Sequence, residues 1–109
     1  MSETDQTITR GSGNVFADLG IPNPEEHQLK ASVVMVIARV MEQHGLSQTA
    51  AAARIGISQP DLSKLLRGSF RGFTLERLLS CAKAIGVDFE IRAKASDDIN
   101  HEGRIRMVA

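Results

Sequence analysis

The sequence predicts a mainly α domain of four to five helices that ends in a short β-strand or hairpin. Three observations predict it. Apolar residues recur at helical spacing in several stretches between residues 24 and 86, serines, threonines and glycines punctuate those stretches, and the pattern switches to alternation after Gly86. At 109 residues the chain has room for one small domain. A hydrophobic content of 42% against 24% charge supports a packed core and argues against disorder over most of the length. The longest apolar run, Val33 to Ala38, is far too short to span a membrane. Met1 to Arg10 is polar and lacks the apolar core of a secretion signal, so the expected location is cytoplasmic, with no membrane partner.

Residues 1–13 read as a flexible arm, polar and closed by Gly11 and Gly13. The helical domain is expected over 14–86. It opens on Asn14 to Gly20, where Val15, Phe16 and Leu19 can pack onto the rest as a short turn of helix. Asn23-Pro24-Glu25-Glu26 is a helix entrance, with an Asn cap, Pro in the first turn and two acids at the positive end of the helix dipole. That helix should run from Pro24 to His44, and Leu29, Val33, Val36, Ile37, Val40 and Met41 make its core-facing stripe. Val34, Met35 and Ala38 widen the stripe beyond the need of one core-facing helix. The extra apolar surface fits either the N-terminal segment or a subunit interface.

The centre of the chain is Leu46 to Gly68, two short helices joined by a tight turn. Ser47 is placed to cap the first, Ala50 to Ala53 bring helix propensity with little bulk, and Gly56 supplies the left-handed residue that ends it. Ser58 with Asp61 three residues on is a capping-box pattern that starts the second, and Pro60 falls in its first turn. At about 100° per residue, Leu62, Leu65 and Leu66 share one side, while Gln59, Pro60, Ser63, Lys64 and Arg67 cover the other. The presented side holds an amide suited to an adenine edge, an ammonium suited to guanine or phosphate, and a guanidinium suited to phosphate. A helical hairpin buried on both sides would leave this polar arc unexplained.

Here the sequence resembles the phage-repressor-like helix-turn-helix regulators of the XRE, or Cro/C1, type. The residues that carry the resemblance are Leu46-Ser47-Gln48, Ala51, the Ile55-Gly56-Ile57-Ser58 turn, Gln59-Pro60, Leu62-Ser63 and Leu65 through Gly68. The resemblance implies a phage-repressor-like domain with its helix-turn-helix at 46–68, binding double-stranded DNA and regulating transcription. It assigns base reading to Gln59, Pro60, Ser63 and Lys64. Phosphate contact falls to Ser47, Gln48, Ser58, Arg67, Ser69 and Arg71. The segment Gly13 to Gly20, followed by Pro and a long helix, is similar to a subgroup that acts as antitoxins, which implies a toxin protein as a second partner.

The loop SFRGF at 69–73 offers Arg71 to phosphate and Phe70 or Phe73 to the core. Thr74 then caps a helix through Ile85, with Leu75, Leu78, Leu79, Ala82 and Ile85 on its apolar side. Residues 87–109 read as a C-terminal extension. In Val87 to Lys94, Phe89 and Ile91 alternate with Glu90 and Arg92, as in a strand with one apolar face. A lone strand cannot satisfy its own backbone. Its partner is Arg104 to Val108 across a hairpin, the same strand of a second subunit, or a strand of another protein.

The zero net charge conceals an uneven distribution. Residues 1–30 carry two bases (Arg10, Lys30) and five acids (Glu3, Asp5, Asp18, Glu25, Glu26), a net of −3. Residues 45–83 carry six bases (Arg54, Lys64, Arg67, Arg71, Arg77, Lys83) and two acids (Asp61, Glu76), a net of +4. The basic excess therefore sits where attraction to phosphate would help, and the acidic end could meet a basic toxin.

The pattern of an enzyme is lacking: no phosphate-binding glycine loop, no nucleophile with a base nearby, no ligand cluster at metal spacing, and hence no metal or other cofactor is expected. Cys81 is single, which rules out an intrachain disulfide and suits a small core position. His27 and His44 lie 17 residues apart on one helix, roughly 25 Å, and cannot share a metal. Without Trp or Tyr there is no stacking platform for single-stranded RNA. The expectation is a sequence-specific, autorepressing DNA binder acting as a homodimer on a palindromic operator, as an antitoxin of a toxin–antitoxin pair. The alternative is a protein-interaction module that keeps the helix-turn-helix as scaffold only.

Overall fold

A computed structural model describes residues 23–108. It contains α1 (Asn23–Gln43), α2 (Gln48–Ile55), α3 (Gln59–Leu66) and α4 (Leu75–Lys83). Four helices are thus present among the described residues. The fifth, expected in the Asn14 to Gly20 segment, lies outside them, as does the N-terminal arm. The long helix begins and ends one residue earlier than its sequence pattern suggested, and the last helix closes at Lys83, with residues 84–86 in a turn.

Local chemistry sets each helix start. The side-chain oxygens of Ser47, Ser58 and Thr74 accept hydrogen bonds from the backbone N–H groups of Ala50, Asp61 and Arg77 at 3.0, 3.1 and 3.1 Å. Each satisfies a donor that the helix itself cannot. At the end of α2, Gly56 adopts φ 88°, and its N–H and that of Ile57 both donate to the carbonyl of Ala52, at 2.8 and 3.2 Å. This closes α2 and turns the chain directly into the cap of α3. A Cβ at Gly56 would meet nothing within 4 Å, so the cost of Gly56→Ala is confined to the backbone. It should destabilise the domain by about 1–2 kcal/mol, the penalty for a left-handed L-residue, read as a lower midpoint in urea.

Packing follows the predicted stripes. α1 lies mainly against α4, α2 against α3, and α1 also reaches α3. Leu29, Val33, Ile37 and Met41 of α1 are buried, and Val36 and Val40 are half-buried. Leu62 and Leu65 of α3 are fully buried with Leu78 of α4. Ala51 and Ala52 are buried too, so α2 contacts the core through methyl groups that let α3 cross closely. Of the surplus apolar residues on α1, Val34 joins the core, whereas Met35 and Ala38 remain exposed. Phe70 and Phe73 are both buried, so the loop contributes two aromatic plugs where one or the other was expected.

The C-terminal strand or hairpin does not form among the described residues: 87–108 contains no strand. The physical reason is the absence of a ladder partner within the described chain. The polar stretch at 96–101 does turn, with the Asn100 N–H donating to Asp98 Oδ1 and the His101 N–H to the Asp98 carbonyl, each at 3.0 Å. Beyond the turn, however, the chain goes to α1 and not to 87–94. The Ile105 N–H donates to Glu25 Oε2, and Met107 packs half-buried against the core. Phe89 is also half-buried, but Ile91, expected on the same face, is 73% exposed.

Candidate nucleic-acid interface

α3 has one anchored side and one presented side because its leucines and polar residues are spaced to divide it. Leu62 and Leu65 are at 0% exposure, and Gln59, Pro60, Lys64 and Arg67 stand on the outside. Ser63 is half-buried at the edge of the presented side. Its Oγ accepts a hydrogen bond from Arg67 Nη1 at 2.6 Å, one helical turn on. This bond lays the guanidinium back along α3, so Ser63 and Arg67 form a joined pair and not two independent groups.

The remaining candidates fall into two places. Ser47, Gln48 and Ser58 are exposed at the entrances of α2 and α3. Both serine oxygens already accept cap bonds, which leaves each hydroxyl its O–H to donate. Ser69 and Arg71 are exposed on the loop after α3 and line, with Lys64, a shallow groove beside the helix. The Ser69 N–H donates to the Lys64 carbonyl at 2.8 Å, which holds the loop against the end of α3. Ser47 and Gln48 are not among the residues that line this groove.

Two basic residues in the groove were not singled out from the sequence, His27 of α1 and Arg77 of α4. The Arg77 guanidinium lies 4.6 Å from the centroid of Phe73, and the His27 ring lies 5.1 Å from that of Phe70 at an angle of 30°. The spacing of Phe73 and Arg77, four residues across a helix start, was a usable signal. For His27 there was none, because it and Phe70 are distant in sequence.

Burial pushes the Cys81 thiol up from its ordinary value, only partly offset by nearby Arg77 and a backbone hydrogen bond, so it stays protonated and inert at neutral pH. Among the described residues, no group of three or more His, Cys, Asp or Glu side chains is arranged to hold a metal ion. No described helix is long and apolar enough to cross a membrane.

A helix-turn-helix whose second helix turns a polar face outward defines a class of regulators, and the comparisons agree. Residues 15–94 match the family described as helix-turn-helix domain. A solved chain assigned to the XRE family of transcriptional regulators is similar at 38% identity and a TM-score of 0.73, over 81% of this chain and 99% of its own. No match was found among curated proteins. The chain belongs to the helix-turn-helix family of DNA-binding transcriptional regulators, and to its XRE type.

Proposed function

We propose that this chain binds a specific double-stranded operator and represses transcription, including that of its own operon. The observation that carries the reading is the division of α3, with Leu62 and Leu65 fully buried and Gln59, Pro60 and Lys64 held outward on a capped, rigid helix. Gln59, Pro60, Ser63 and Lys64 read base edges in the major groove. Ser47, Gln48, Ser58, Arg67, Ser69 and Arg71 hold the backbone on either side.

One domain of this size reads only a few base pairs, so we infer a homodimer on a palindromic site with half-sites about 34 Å apart. Exposed Met35 on α1 and exposed Ile91 after α4 are apolar surfaces available to a second subunit. The resemblance to antitoxins adds a second role, holding a toxin in an inactive complex. The net charge of −3 over residues 1–30 suits a basic partner.

The test is a titration of the protein against duplex DNA from upstream of its own gene at several salt concentrations. A specific complex, a footprint with two-fold symmetry and a steep fall of affinity with salt are expected. Failure to prefer that DNA over unrelated duplexes would overturn the operator reading. The toxin reading is checked by expressing the neighbouring small open reading frame with and without this chain. A neighbour that is harmless alone would end it.

A further inference from the structure

We propose that the DNA contact extends past the helix-turn-helix, onto α4 and α1, through a phosphate seat in the groove beside α3. This rests on the operator reading and adds Arg77 and His27 to it. Lys64, Arg71, Arg77 and His27 come from three helices and a loop, yet all four line one open groove. Their chemistry suits an anion, and the groove adjoins the helix that faces bases.

The two aromatic plugs make the seat rigid. Phe73 is 7% exposed and fixed in the core, and Arg77 lies over its ring. Phe70 is 5% exposed, and His27 packs on it. A guanidinium held over a ring loses less freedom when it meets a phosphate than one on a free side chain, and a ring-stacked imidazole likewise presents its N–H donor in one place. Gly72 adds no side chain to the groove, and a Cβ there would meet nothing within 4 Å, so the backbone of the loop is open to a close ligand.

Asp61 also lines the groove and works against an anion. It sits in the first turn of α3, where its backbone N–H is taken by the Ser58 cap and its carboxylate complements the helix dipole. The seat therefore has a basic side, formed by Arg71, Arg77 and His27, and an acidic edge toward the start of α3. A phosphate on the basic side would lie against groups that read no sequence. The contact sets the position of α3 along the duplex and contributes equally to every DNA sequence.

The experiment compares salt dependence for four purified full-length variants on the operator duplex and on an unrelated duplex. Arg77→Gln should flatten the slope of log affinity against log salt by about 0.9, the share of one phosphate, and weaken both duplexes by the same factor, about fivefold. His27→Phe keeps a ring on Phe70 and removes the donor, and should weaken both duplexes about threefold. Asp61→Asn should tighten both by about threefold. Lys83→Gln, on the exposed last turn of α4 and outside the groove, controls for net charge and should leave the slope unchanged. Unchanged slope and affinity for Arg77→Gln with a native melting curve would overturn the seat, as would an Asp61→Asn protein that binds no tighter. A wild-type protein that forms no specific complex refutes the operator reading instead, which separates the two failures.

Discussion

Alanine in place of Gln59 and of Lys64 is expected to cost about 1–3 kcal/mol of operator affinity at each position that makes a good base contact, a loss of about fivefold to 150-fold. Both side chains are on the outside of α3. Neither contributes to the apolar core, so the melting temperature should scarcely move. The two losses should differ in kind. Gln59→Ala should relax the choice of base at one position and leave binding to unrelated DNA intact, because an amide reads an adenine edge and carries no charge. Lys64→Ala should weaken unrelated DNA as well, since Lys64 also lines the cationic groove beside the helix. Competition binding with single-base operator variants measures both. A protein that used its helix-turn-helix only as scaffold would show neither change.

The other large effect is on the fold. Leu65→Ala should destabilise the domain by about 2–5 kcal/mol, since the side chain is at 0% exposure and its removal leaves a cavity in the apolar core. Domains of this size have about 5–15 kcal/mol in total, so much of the folded population at 37 °C is at stake. Equilibrium denaturation in urea checks the value, and Leu66→Ala is the internal comparison. Leu66 is only half-buried, and its truncation should cost clearly less. Because α3 has only eight residues, it cannot hold its helix without these two leucines, and DNA binding by Leu65→Ala should fall with the folded fraction.

The parts of the fold that were readable in the sequence are those decided within one turn of chain. The serine and threonine caps, the Gly56 corner and the outward arc of α3 each depend on residues three or four apart, and each is where its residue types placed it. The extension after Gly86 was misread for the opposite reason. Alternation of Phe89, Glu90, Ile91 and Arg92 states which side chains would share a face of a strand but not whether another strand is there to complete it. Arg104 to Val108 has the right pattern for that partner, but the segment lies beside α1, where the Ile105 N–H meets Glu25.

The interface divides along the same line. Gln59, Ser63 and Lys64 lie on one helix and Arg67 caps its end, so spacing alone brings them together, although the bond that joins Ser63 to Arg67 is not legible that way. The groove beside them is assembled by tertiary packing. Ser69 and Arg71 are legible because the loop follows α3 directly, whereas Arg77 and His27 enter through the rings of Phe73 and Phe70, whose burial is a property of the whole domain.

Among the described residues the interior holds no charged or hydrogen-bonding side chain, and its one thiol keeps its proton at neutral pH. The packed interior of the described domain therefore carries no charge to neutralise and no polar group to leave unpaired.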